Sequence, residues 1–207
     1  MDAIEAIRGR KSIRAFLPRP VPRDVIAQIL EASRWAPSGS NRQQWRVTVA
    51  TGEPCSALAD RLTERIRERE PQAPWSPGSS PSALVTGLAQ AAERLGQSLW
   101  EFVVLGSYGF YGAPVVVVAS HPSSRGNDVP QFVTTMLIVA HSLGLGTCWL
   151  GYPLSHADLI RQALDIPEDE RIAAVVALGY PDLDSPANAF RSPRDELETF
   201  VRWVGFD

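Results

Sequence analysis

Two short polar stretches, Arg10-Lys11-Ser12-Ile13-Arg14 and Pro37-Ser38-Gly39-Ser40-Asn41-Arg42-Gln43-Gln44-Trp45, stand on either side of one predicted helix. The first puts three cations and a hydroxyl within five residues. Guanidinium groups give rigid, charge-assisted hydrogen bonds and serine adds a short donor, so this stretch has the chemistry of a phosphate clamp. The second offers small residues for close backbone approach, followed by amides that donate to and accept from a heteroaromatic edge. Together they read as half of an anion-anchored cofactor site. Each has a plainer alternative: an arginine-rich segment is often solvated surface, and Ser38 and Asn41 also suit a cap or a turn.

Working outward, residues 2–9 and about 22–35 read as helices. Pro22, Asp24 and the apolar positions Val25, Ile29 and Ala32 support the second. A strand is expected from Trp45 to Thr51, and a charged amphipathic helix over residues 53–70 with Leu58, Leu62 and Ile66 on its apolar face. Residues 71–81 hold four prolines and a glycine and read as a loop, within a lid region spanning 71–112. A long helix is expected from Ser82 to Leu105. It leads into Gly106–Gly112, where Tyr108, Phe110 and Tyr111 alternate with small residues. That run reads as a substrate-facing wall or as ordinary packing under a loop. Four consecutive valines within Ala113–Ser120 suit a strand buried on both faces. A helix opening at Asp128 and ending near Gly144 carries Phe132, Met136, Val139 and Leu143 on one stripe. A short strand near Thr147–Leu150, a helix near Ser155–Leu164 and a strand from Arg171 to Gly179 follow. A last helix is expected with Leu197, Phe200 and Val201 on its apolar face. The pattern predicts one domain over 1–207, of α+β (mixed α/β) class, with helices on both sides of a small central sheet.

Composition narrows the function. The formal charge is −3, from 20 basic and 23 acidic side chains, so no global field draws a polyanion and no nucleic acid partner is expected. No run reaches the 18 apolar residues a membrane span requires, and the first twenty residues hold charges without an apolar signal region, so a cytoplasmic protein without membrane association is expected. Two cysteines, Cys55 and Cys148, and three histidines, His121, His141 and His156, lack metal-ligand spacing. Neither a metal site nor a disulfide framework is expected. No Walker or Rossmann glycine fingerprint occurs.

The chain resembles the nitroreductase-like flavoproteins. Arg10, Ser12 and Arg14 fall on that family's Arg-x-Ser-x-Arg/Lys segment; Pro37, Ser38, Gly39, Asn41, Gln43 and Trp45 fall on its Pro-Ser-Ser/Gly-x-Asn-x-Gln-Pro-Trp segment; and Gly144–Gly151 is a third match. Gln44 replaces the usual proline, and Thr134-Thr135 stands where relatives often carry Gln-Asn. The resemblance implies a central, mainly antiparallel mixed sheet flanked by helices. It also implies FMN, with phosphate and ribityl chain at Arg10, Lys11, Ser12 and Arg14, the ring against Pro37, Ser38, Gly39, Asn41 and Gln43, and backbone approach at Leu150 and Gly151. A C-terminal cation completes the phosphate site in the family, and both Arg191 and Arg194 match.

What the resemblance further implies is a homodimer with FMN sites shared between subunits, and hydride transfer from NADH or NADPH through flavin to a small-molecule electron acceptor such as a nitroaromatic or quinone. No side chain is expected to be catalytic in its own right, because the isoalloxazine carries the redox chemistry. Some relatives place an acid at the position of Leu150, where this chain has none, so no proton donor is assigned there. Reductive dehalogenation, oxygen-dependent oxidation or flavin fragmentation is the nearest enzymatic alternative. A flavin-sequestering protein is the alternative of another class. Trp45 and Trp149, next to predicted strands, are expected in the core.

Overall fold

A computed structural model of the chain describes residues 1–69, 82–122 and 128–206. The expected proline-rich loop at 71–81 lies outside them. Four strands, β1 (Arg46–Thr51), β2 (Val115–Pro122), β3 (Gly146–Leu150) and β4 (Glu170–Gly179), form one sheet in the order β1-β2-β4-β3, every neighbouring pair antiparallel. A parallel bridge from Ser12 to Thr147 adds the N-terminal segment beside β3 and makes the sheet mixed.

The valine run of β2 decides the layering. Side chains alternate across a strand, so Val116 and Val118 enter one core while Val115, Val117 and Ala119 enter the other. The first core is closed by α3 (Glu53–Arg69) and α7 (Ala157–Ala163), through Leu58, Leu62, Ile66 and Ile160. The second is closed by α2 (Arg23–Ser33) and α6 (Val129–Ser142), through Ile29, Phe132, Val133, Met136 and Ala140. These are the helices expected on both sides of the sheet. At the start of the chain, α1 (Ala3–Gly9) is held by a capping box: Glu5 N donates to Asp2 Oδ1 at 2.8 Å, and Asp2 N donates to Glu5 Oε2 at 3.1 Å.

Two expected helices differ in the structure. The helix predicted from Ser82 to Leu105 ends as α4 at Arg94. Gly96 takes a left-handed φ of 66°, with Gly96 N bonded to Glu93 O and Gln97 N to Ala92 O, which is a Schellman stop. The chain restarts through a second capping box between Ser98 and Glu101, then runs through a π-helical turn, Glu101–Leu105, into α5 (Gly106–Tyr108). Both signals were in the sequence, and apolar periodicity on either side masked them. The predicted C-terminal helix is a single 3-10 turn, Leu197–Thr199. Of its expected apolar face, Leu197 and Phe200 are exposed and Val201 is only half-buried, and Trp203, Val204 and Phe206 beyond it are exposed too. A short helix without tertiary packing is marginal, which accounts for its absence.

Candidate functional site

The site is organised by α6, whose two ends hold different chemistry. At its C-terminal end the Arg10–Arg14 segment runs along β3. Ile13 N donates to Thr147 O at 2.9 Å. This approach requires Gly146, because a Cβ there would stand 2.6 Å from the Ile13 side chain. Arg10 is half-buried; desolvation, then the charges of Arg194 and Arg191, hold its guanidinium below the ordinary range. Arg194 and Arg191, from the far end of the sequence, therefore lie within electrostatic reach of Arg10, Arg194 with the larger effect, while the Arg194 guanidinium also donates to Ser192 O and Pro193 O. Among the described residues none of Arg10, Arg14, Arg191 and Arg194 forms an ion pair with a carboxylate. Clustered cations without an internal counter-charge are the arrangement an anionic ligand stabilises.

Ser12 and Arg14 lie beside these cations, around Cys148. Burial raises the Cys148 thiol against the opposing influence of Arg14, the Ser12 side chain and Arg10. Arg14 also contacts the phenol of Tyr111. Lys11 is engaged elsewhere, its ammonium on the backbone carbonyl of Asn188.

Asn188 is the residue that sequence reading missed. It is buried and ties the two ends of the chain together: Oδ1 accepts from Arg14 N at 2.7 Å, while Nδ2 donates to Ala15 O at 2.8 Å and Asp182 O at 2.7 Å. It thereby fixes the Arg10–Arg14 segment against the segment that bears Arg191 and Arg194. No local pattern marks an asparagine in Pro-Ala-Asn as buried. The contact joins positions more than 170 residues apart and becomes visible only in three dimensions.

At the N-terminal end of α6 the Pro37–Gln43 segment forms a compact loop. Gly39 N donates to Asp128 Oδ1 at 3.3 Å, so the Asp128 side chain holds this loop and makes no cap bond to its own helix. Ser40, Asn41 and Gln43 have left-handed φ values of 54°, 54° and 48°. The turn is tied by Gln43 N to Ser38 Oγ at 3.0 Å and Gln43 Nε2 to Asn41 Oδ1 at 3.0 Å. Its side chains project from the surface, while Gln44 Oε1 and Asp128 Oδ2 are buried without a hydrogen-bond partner among the described residues. Trp45 stacks on Phe132 with ring centroids 5.2 Å apart and packs against the core, as expected. Trp149 is 37% exposed, contrary to expectation, because its position on β3 faces away from the core that Cys148 and Leu150 enter.

Leu150 is buried at the end of β3 and Gly151 is exposed just beyond it. The three aromatic wall candidates separate. Tyr108 and Phe110 are 3% and 1% exposed and sit in the core packed by α3, which fits their reading as packing residues. Tyr111 borders a cleft of about 500 Å³ that also takes in Arg14, Arg67, Gln97, Glu101 and Phe102. A second cleft of about 520 Å³, between Pro18, Thr51, Cys55, Thr63 and Ala113, carries no cation, and burial pushes the Cys55 thiol up to about 11. It is remote in chemistry from the anion site. Among the described residues no group of His, Cys, Asp and Glu could hold a metal ion, and no helix is long and apolar enough to cross a membrane.

A mixed sheet between helical layers, with a cationic cluster at one end of a central helix and an amide-rich loop at the other, defines an α+β protein. The chain belongs to the nitroreductase family, which it matches over residues 7–180. It is 30% identical to a 4-nitrobenzoate reductase of Pseudomonas putida, over 100% of this chain and 96% of that protein. Among solved structures, an FMN and NADPH-dependent nitroreductase from Sphigopyxis sp. strain HMH superposes with a TM-score of 0.85 at 26% identity, covering both chains fully. The FMN-dependent nitroreductase NfnB from Mycobacterium smegmatis, solved in complex with NADPH, gives a TM-score of 0.80 at 27% identity over 98% of this chain and 97% of that one. The family match takes in both N-terminal segments and β3 but ends before Arg191 and Arg194. Their place at the site rests on the geometry around Arg10.

Proposed function

We propose that this chain is an FMN-dependent oxidoreductase that transfers hydride from NADPH, or NADH, to a nitroaromatic acceptor. The observation that carries the reading is the convergence of Arg10, Arg191 and Arg194, beside Ser12, at one end of α6 within this family's fold. These residues fit a phosphate monoester: rigid donors, clustered positive charge and no competing carboxylate. Arg10 and Arg194 would hold the phosphate, with Ser12 and Arg14 beside it; Leu150 and Gly151 present backbone to the ring. When bound, FMN supplies the hydride-accepting and electron-delivering chemistry. The protein's part is to hold the phosphate and to keep the ring at a fixed place.

The same geometry supports a homodimer. Gly39 hangs from the residue before α6, whereas Gly9 and Arg10 meet its last turn at His141. Fourteen residues separate these ends, roughly 20 Å at the helical rise. Pairing two copies about a two-fold axis allows the 37–43 loop of one to lie over the cradle of the other, and gives the exposed Phe200, Trp203 and Phe206 an apolar surface to cover. A single domain over 1–207 and a cytoplasmic setting, where reduced nicotinamide is supplied, go with this reading.

The test is anaerobic stopped-flow spectroscopy on the FMN-reconstituted protein. Flavin absorbance should bleach with NADPH and recover on adding 4-nitrobenzoate, the first acceptor to try given the relatives. Bound FMN that neither bleaches with either nicotinamide nor recovers with any nitroaromatic or quinone would reject the oxidoreductase reading in favour of flavin sequestration.

A further inference from the structure

His141 lies at the cradle, and the reaction as proposed leaves it without a role. It stands in the last turn of α6, half-buried, with its ring laid on Gly9: a Cβ on Gly9 would come within 2.4 Å of Nε2. The imidazole therefore rests on the backbone that leads directly into Arg10, and a side chain at position 9 would displace it. The charged groups that face it are Arg10, beyond the end of α1, and Arg191, from the C-terminal segment. No other residue of α6 is titratable, and among the described residues no carboxylate bears on the ring. Burial first, then Arg10 and Arg191, hold His141 below the ordinary imidazole range. Beside guanidiniums that stay charged, it is the one group of this cluster whose charge can change near neutral pH.

We propose that His141 is a further wall of the phosphate cradle and that, on the FMN reading above, binding of a phosphate monoester dianion at Arg10, in the cluster it shares with Arg191 and Arg194, brings a proton from solvent onto its imidazole. The sign follows from the charges. Without ligand Arg10 and Arg191 oppose an imidazolium; a dianion bound at their cluster offsets that opposition, and the C-terminal end of α6 favours a cation as well. A group that binds its proton more readily in the complex makes the complex take up protons, so affinity rises as pH falls, by at most about tenfold per pH unit. The effect is confined to pH above about 6, the second ionisation of the phosphate itself.

Calorimetric titration of FMN into the apo-protein, near neutral pH in two buffers of different ionisation enthalpy, counts the protons exchanged. The wild type should take up a substantial fraction of a proton more than His141→Gln, the small exchange from the phosphate's own ionisation being common to both. Between about pH 8 and about pH 6.5 the wild-type affinity should rise several-fold more than that of the variant. Equal proton exchange in the two proteins overturns the proposal while leaving the FMN reading intact; failure of FMN to bind either protein overturns both. Should the variant not fold, NMR titration of the three wild-type imidazoles decides: FMN should move one midpoint upward, and three unmoved midpoints overturn the proposal.

Discussion

The two ends of α6 solve opposite problems. At its C-terminal end, half-buried Arg10 is joined by the exposed Arg191 and Arg194 from the far end of the sequence, and Asn188 ties the two segments together through three side-chain hydrogen bonds, two of them to Arg14 and Ala15. At its N-terminal end, a continuous run of seven residues is held largely by its own side chains, exposed, with three non-glycine residues in left-handed conformation. Charge binding requires groups that tertiary structure assembles and keeps from pairing internally. Ring recognition requires backbone and amide edges at a surface, which a short loop can present by itself. The difference teaches that the cradle depends on the whole fold, whereas the loop depends on local backbone strain and on what covers it.

The sharpest way to break this comparison is to remove the cations. Arg10→Ala and Arg194→Ala should each lose about 1.5–3 kcal/mol of charge-assisted binding, or roughly one to two powers of ten in FMN affinity by calorimetry. The double variant should lose flavin on ultrafiltration. The two effects share one ligand group and will not add fully. Unchanged affinity in both single variants would remove the phosphate role from this end of α6; loss in Arg191→Ala with an unchanged Arg194→Ala would move it to Arg191.

Subunit mixing tests whether the two ends act across a dimer. The cradle double variant and an Asn41→Ala, Gln43→Ala loop variant should each be severely impaired alone. Refolded together, they should recover activity at about a quarter of sites, since a mixed dimer about a two-fold axis has one intact site and one doubly defective site. No recovery, with mixed dimers present by mass spectrometry, would place both ends in one chain's own site.

Asn188→Ala is expected to act through the fold. Three part-buried backbone groups lose a partner, though Ala15 O keeps Asp182 N, an effect of about 1–3 kcal/mol on stability, which for a chain of this size lowers the thermal midpoint by roughly 2–4 °C per kcal/mol. FMN affinity should fall with it, because Arg14 and the C-terminal arginines are no longer held in register. A destabilised variant with full FMN affinity would show that Asn188 supports the fold alone.

The smallest effect is expected at Ser40→Gly. Glycine takes the left-handed φ without steric penalty but carries more chain entropy when unfolded, so the net gain in stability should be less than about 1 kcal/mol. Thermal denaturation should show a slight rise, and FMN affinity a slight loss, as the loop becomes less rigid. A marked drop in stability would mean that the loop's conformation rests on the Ser40 side chain.

Most of the framework was legible locally. The β2 valines announced a strand buried on both faces, and the apolar stripe of α6 announced its helix, because burial periodicity is a property of neighbouring residues. The break at Gly96 was also written locally, in a C-terminal glycine and a Ser-x-x-Glu box, yet apolar residues on either side read as one continuous helix. The C-terminal helix failed for another reason. Its pattern of apolar residues was real, but a pattern does not say what surface will receive it, and among the described residues Leu197 and Phe200 stay exposed.

By itself the sequence determined the family resemblance, the class of the fold and the chemistry of both binding segments, since motif spacing and side-chain type are local properties. Tertiary structure alone decided that Arg191 and Arg194 both bear on Arg10, that Asn188 joins the two ends of the chain, that His141 lies against Gly9 beside Arg10, and that the arginine cluster and the 37–43 loop stand at opposite ends of one helix. These are relations between residues distant in the chain. They are set by how sheet and helices pack, and electrostatic coupling depends on the resulting separation and burial, which no run of neighbouring residues encodes.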